Sequence, residues 1–287
     1  MARHTWEEAV LRWLLETKHK ATHDDDKAKL RWLDSYLGGK FLDEIDRTLI
    51  DRIKFDREDV SSHSTTNRYL ALMRSILKRA CDEWEWLEKT PKFKLFREAE
   101  GRVRSLTVQE FHTLLNELPE HLADMAIFAV ATGLRQANVK DLHWQYVDLQ
   151  RQHAWIPGSQ HKNGKPHSAP LNEMAMSVLR KQVGKHATLV FTYQGKPIKQ
   201  VSTRAWRHAL VRAGIEDFRW HDLRHTFATW HRQAGTPTHE LQRLGGWRTG
   251  VMVERYAHVA PEGLQSAASR LDAFGGYDLA TVQRTTA

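Results

Sequence analysis

Residues 153–171, HAWIPGSQHKNGKPHSAPL, break a helical rhythm that runs through most of the chain before them. His153 to Ile156 and His167 to Leu171 read as two short strands. Between them lies Asn163-Gly164, a strong hairpin-turn signal, which would put Lys162 at the tip of a hairpin. Upstream, the run from Leu122 to Thr132 has the composition of a buried helix, stopped by Gly133. Thr107 and Glu110 have the spacing of a capping box, so a helix starts there. Helices resume from about Asn172, and Leu189 to Thr192 reads as a short buried strand. The fold class that follows is mainly α with a small β-hairpin or sheet.

The first hundred residues carry only the helical period. Trp6, Val10, Trp13 and Leu14 share one helix face; Leu30, Leu33 and Leu37 share another, ended by Gly38 and Gly39. A third helix is expected after Ser64, Thr65 and Thr66. Its apolar stripe is Tyr69, Met73, Ile76 and Ala80, filled in by Leu72 and Leu77, with Arg74 and Lys78 facing outward. Residues 97–106 are polar and contain a glycine, as a linker would. The expected organisation is a helical domain over 1–98, a linker over 99–106 and a mixed α+β domain over 107–287, with a tail from about residue 261.

The chain has 287 residues, enough for two ordinary domains, and its 41% hydrophobic and 27% charged content is that of a globular protein. No apolar run approaches the roughly 18 residues of a membrane span, and the charged N-terminus is no secretory signal. The single cysteine, Cys81, excludes an internal disulfide framework and a cysteine-based zinc cluster. A cytoplasmic, nucleoid-associated location without a membrane partner is the expectation.

Charge placement is more informative than the net +8. Acids and bases balance over residues 1–100, so the whole excess lies beyond them. Ser61 to Ala80 contains Arg68, Arg74, Lys78 and Arg79 with no acid. Met174 to Ile215 contains eight basic residues with no acid, among them Lys199, Arg204 and Arg207. Two acid-free basic stretches, one in each half, suggest a polyanion gripped from two sides. With Lys165 beside the hairpin tip, these residues are the candidate DNA contacts.

Five pieces of the second half carry chemistry together: TGLRQANVKDLHW with Arg135, the hairpin tip with Lys162, HDLRH with His221, Arg224 and His225, LGGW with Trp247, and ERYAHV with Tyr256 and His258. HDLRH places its three side chains at i, i+3 and i+4, on one face of a helix. Taken singly, an Arg or Lys reads more readily as a surface charge, a His as packed or exposed, and Trp247 or Tyr256 as core; their set and order do not.

That set and order resemble the tyrosine recombinases, the phage-type integrases. The resemblance spans nearly the whole chain and is specific over 132–148, 161–171, 219–230 and 241–261. It implies a helical core-binding domain followed by a catalytic domain, the two clamping double-stranded DNA. It implies cleavage and rejoining of strands through a 3′-phosphotyrosyl link on Tyr256, without metal, ATP or another cofactor. Arg135 and Arg224 would bind the nonbridging phosphate oxygens, as paired guanidiniums suit. His221 would help the phenol lose its proton, Lys162 would protonate the departing 5′-hydroxyl, and Trp247 would donate from its indole N–H and pack. His225 is an extra nearby group, and His258 a support for the Tyr256 segment. The resemblance also implies a tetramer on DNA from a protein that is monomeric when free, with accessory DNA-bending or directionality proteins. The tail, with Leu264, Ala267, Ala268 and Leu271 at helical spacing, would pack on a neighbouring protomer or on its own domain.

Two departures stand out. The family usually carries an acid three residues after its first arginine, where this chain has Asn138. The family's common N-terminal arm-binding domain has no room before a helical domain starting near Thr5, so the sites are simple or that domain has been lost or trimmed. Other readings are a catalytically decayed DNA-binding module, a type IB topoisomerase, and a metalloenzyme built on the H-x-x-x-H spacing of His221 and His225.

Overall fold

The computed structural model describes residues 2–98, 101–160, 164–257 and 269. The chain divides into two compact units, one ending at Gly101 and the other beginning at Arg102.

The first unit is helical: α1 (Trp6–Glu16), α2 (His23–Leu37), α3 (Arg47–Glu58) and α4 (His63–Asp82). Thr5 and Glu8 close a full capping box on α1. The helices bury Trp6, Leu33, Leu37, Ile50, Ile53, Met73 and Ile76 in one core. α4 starts earlier than the sequence suggested. Ser62 is its cap, its hydroxyl accepting the Thr65 N–H at 3.3 Å, so Ser64, Thr65 and Thr66 lie inside the helix. Met73, Ile76, Ala80, Leu72 and Leu77 of its apolar stripe are buried and Tyr69 is half-buried, while Arg68, Arg74 and Lys78 are exposed.

The second unit is mixed. α5 (Val108–Glu117) carries the Thr107–Glu110 capping box. α6 (Glu120–Thr132) is buried along most of its length and ends at Gly133, whose φ of 62° is the left-handed conformation. After α7 (Gln136–Lys140) come β1 (Val147–Asp148), β2 (His153–Ile156) and β3 (His167–Pro170), one antiparallel sheet in that order. α8 (Glu173–Gln182), β4 (Thr192–Tyr193), β5 (Lys196–Pro197) and α9 (Arg204–Arg212) follow. α10 (Asp222–Gln233), α11 (Thr238–Gly245) and α12 (Val251–Glu254) complete the described elements. α6 packs between α8 and α10. Buried Asp124 on α6 ties it to α8, accepting from Gln182 at 2.7 Å and facing Lys181 at 3.4 Å.

The expected pairing of β2 with β3 is present, its described ladder ending at Ile156↔His167, and Lys162 and Asn163 of the expected turn lie outside the described residues. The next pair outward would be Pro157 and Pro166, and proline has no N–H to extend a ladder. Beyond β2 the chain makes a 3₁₀ turn at Gly158–Gln160. Two details depart from the sequence expectation. The strand expected at 189–192 is shifted: Val190 and Phe191 are buried, and the strand is Thr192–Tyr193. It pairs with β5 through Gln194 (φ 50°) and Gly195 (φ 70°), the left-handed pair a two-residue turn requires. β1 was not anticipated, because two residues carry no readable period.

No helix among the described residues is long and apolar enough to cross a membrane.

Candidate active site

The site is assembled from the ends of helices in the second unit. Arg135 is the N-cap residue of α7, just past the Gly133 stop, and is half-buried. His221 is the N-cap residue of α10 and is exposed, whereas Arg224 and His225, one turn on, are buried. Trp247 follows α11, and Tyr256 lies just beyond α12. Lys162 and His258 fall outside the described residues, as does the tail with Leu264, Ala267, Ala268 and Leu271.

Arg224 is the centre. Its guanidinium donates to the Gly133 carbonyl and, at 2.7 Å, to the Gly245 carbonyl, joining the ends of α6 and α11. It lies 4.1 Å over the Trp247 ring. Burial, and the like charge of Arg135, lower its pKa to about 9, so it stays charged at neutral pH. Burial lowers Arg135 too. Two guanidiniums near enough to repel each other make a seat for an anion.

Two glycines permit this packing. A Cβ on Gly245 would sit 1.8 Å from the Trp247 ring, and one on Gly133 would sit 2.4 Å from the Phe227 ring. Gly245→Ala is therefore expected to displace Trp247 from Arg224 and cost about 1–3 kcal/mol in overpacking. Thermal unfolding, with tryptophan fluorescence reporting the ring, checks this; an unchanged melt and spectrum would contradict it.

Tyr256 is 1% exposed and belongs to a small apolar cluster with Phe227, Leu241 and Val253, against which Trp247 packs. Burial raises its pKa, so the phenol is protonated at neutral pH. Its hydroxyl meets Nδ1 of His225 at 2.5 Å. The His221 ring stands edge-on to His225, 5.6 Å between centroids. Asn138 is buried on α7. Among the described residues no three His, Cys, Asp or Glu side chains gather closely enough to hold a metal ion.

The candidate phosphate contacts divide into two groups. Lys78 faces Asp82 at 2.5 Å, and Arg79 faces Glu16 at 3.0 Å and Glu83 at 3.3 Å. A stretch free of acids in sequence is not so in space. Likewise Arg212 pairs with Glu117 and Arg180 with Glu173. Arg68, Arg74, Lys165, Lys199, Arg204 and Arg207 are exposed and form no ion pair among the described residues. Those six are the stronger candidates for a polyanion.

The model of the phage integrase family matches residues 104–262. The integrase of Salmonella phage P22 is 36% identical over 95% of this chain and 81% of its own length. An Escherichia coli shufflon-specific DNA recombinase is 33% identical over 68% of this chain and 51% of its own. Among solved structures, the Tn1549 transposon integrase in complex with transposon right end DNA superposes with a TM-score of 0.76 at 18% identity, over 94% of this chain and all of that one. A lambda integrase dimer bound to a core site superposes with a TM-score of 0.73 at 16% identity, over 89% of this chain and 77% of that one. The fold is that of the integrases. The chain belongs to the phage integrase family.

Proposed function

We propose that this chain is a site-specific DNA recombinase that cuts and rejoins duplex DNA through a 3′-phosphotyrosyl link on Tyr256, in the integration or excision of a prophage or mobile element. What carries the assignment is the convergence of Arg224, Trp247 and Tyr256, from three separate segments, beside Arg135.

Each group has a task that its chemistry fits. Arg135 and Arg224 hold the nonbridging oxygens of the scissile phosphate, and their mutual repulsion is relieved when the anion enters. Two bonds to backbone carbonyls fix Arg224, leaving the rest of its fork for the phosphate. The Trp247 indole N–H adds a donor. Tyr256 attacks phosphorus, the P–O5′ bond breaks, and Lys162 supplies the proton that the 5′-oxygen needs. The bond energy is kept in the covalent link, so rejoining needs no ATP.

Residues 1–98 act as the core-binding domain and 107–287 as the catalytic domain, with the six uncompensated bases named above touching phosphates. The working assembly is a tetramer on DNA, helped by accessory DNA-bending or directionality proteins, in the cytoplasm at the nucleoid.

A labelled duplex nicked beside the cut site tests this, drawn from the DNA flanking the gene. Wild type is expected to give a denaturant-resistant, protease-sensitive protein–DNA band without ATP. Tight binding with no such band would make the chain a DNA-binding module instead.

A further inference from the structure

Four side chains form a continuous line into the nucleophile, and the established motif residues account for only the last. Arg102 donates to the carboxylates of Asp217 and Asp222. Asp222, buried at the first turn of α10, also accepts the Arg219 N–H at 2.8 Å. Its other oxygen lies 4.0 Å from Nε2 of His225. Nδ1 of His225 meets the Tyr256 hydroxyl at 2.5 Å. The carboxylate on the Nε2 side favours the tautomer protonated there, although 4.0 Å is longer than a hydrogen bond, and that tautomer turns the Nδ1 lone pair to the phenol.

We infer that His225 is the proton acceptor for Tyr256, and that Asp222 and Arg102 are positioning residues that hold its tautomer and orientation. This rests on the recombinase function proposed above. As the phenol oxygen forms its bond to phosphorus and the P–O5′ bond breaks, the phenol proton passes to Nδ1 of His225. A separate proton reaches O5′ from the general acid. On rejoining, His225 returns its proton to the departing phenolate. Asp222 stabilises the imidazolium between the two steps, as carboxylates behind catalytic histidines do.

The groups around His225 agree. Burial and the neighbouring charges of His221, Arg255 and Arg224 hold its pKa down, against the pull of Asp222, at about 4. The ring is therefore neutral and able to accept a proton throughout the neutral range. Burial also holds the phenol protonated, so its proton must leave as the bond to phosphorus forms, and the phosphate anion entering the site offsets the cationic neighbours that weaken His225 as a base. On this inference His221, exposed at the start of α10, is left to act on the phosphate.

The test uses two nicked duplexes under single-turnover conditions. One has an ordinary scissile phosphate. The other has sulfur in place of the bridging 5′-oxygen, a leaving group that needs no proton. His225→Gln, which keeps a polar side chain but accepts no proton, is expected to slow cleavage by about 10²–10⁴-fold on both. Its rate should climb with pH through the neutral range where wild type is level. Lys162→Ala should recover on the sulfur duplex, and His225→Gln should not. Asp222→Asn should give a smaller loss with the same change in pH profile at unchanged DNA affinity, once the rate is corrected for the folded fraction, since the change also breaks a buried ion pair. Replacing Tyr256 with a more acidic fluorotyrosine should return part of the rate lost in His225→Gln, which no misfolded variant would show.

Cleavage by His225→Gln within threefold of wild type would overturn the inference. So would rescue of that variant by the sulfur duplex, or an equal loss at every pH with no response to the fluorotyrosine. If wild type itself forms no adduct, the recombinase function fails and the inference falls with it; an active wild type beside an unaffected His225→Gln removes the inference alone.

Discussion

Tyr256→Phe is expected to form no covalent protein–DNA adduct, with cleavage reduced about 10⁴-fold or more, to background, as deletion of a covalent nucleophile does. The change removes one oxygen and leaves the ring in place against Phe227, Leu241 and Val253, so the cluster around it should stay packed. DNA affinity should remain within a few-fold, because affinity for DNA comes mainly from phosphate contacts by bases spread over the chain. Folding stability should fall modestly. The lost hydroxyl leaves Nδ1 of His225, in an 8% exposed residue, without its 2.5 Å partner, a change worth about 1–3 kcal/mol. Three measurements separate the effects: denaturing gels for the adduct, gel shift for binding, and thermal unfolding for stability. An adduct that persists in Tyr256→Phe would place the nucleophile elsewhere.

The sequence made the candidate site legible as an ordered set that resembles a family, and the structure brings Arg135, Arg224, Trp247 and Tyr256 of that set together. Arg135 follows a glycine stop, and Trp247 follows Gly245, where a Cβ would collide with the indole ring. His221 and His225 show where legibility ends. They stand one helical turn apart, and a helix face alone does not say which ring reaches a tyrosine that lies 31 residues beyond the second. That is settled by the packing of α12 against α11 and by the cluster that buries Tyr256. Asp222 and Arg102 were unreadable for the same reason, since their link spans 120 positions. The charge pattern failed differently. Lys78 and Arg79 lie in an acid-free run, yet the next turn of α4 and the neighbouring α1 bring acids to them.

Arg224 carries the second large effect, and there the expected loss divides between chemistry and folding. The side chain is buried, at 6% exposure, with its charge directed at two carbonyls and an aromatic face. Arg224→Ala removes a transition-state donor, which costs about 10²–10³-fold in cleavage by analogy with oxyanion donors. It also leaves the Gly133 and Gly245 carbonyls without their donor, at about 1–3 kcal/mol for each group left buried and unsatisfied. Arg224→Lys distinguishes the two. It keeps a positive charge for the phosphate, but a single ammonium cannot present a planar fork to both carbonyls and an anion at once. Lysine is therefore expected to recover part of the lost stability and little of the lost rate. Single-turnover cleavage, corrected for the folded fraction from thermal unfolding, reads the two losses independently. If Arg224→Lys cleaved near the wild-type rate, charge alone would suffice, and the carbonyl-anchored fork would be a device for holding α6 to α11. If it stayed slow while folding normally, the geometry of the guanidinium would be the catalytic feature. The Gly133 and Gly245 carbonyls would then serve to aim it.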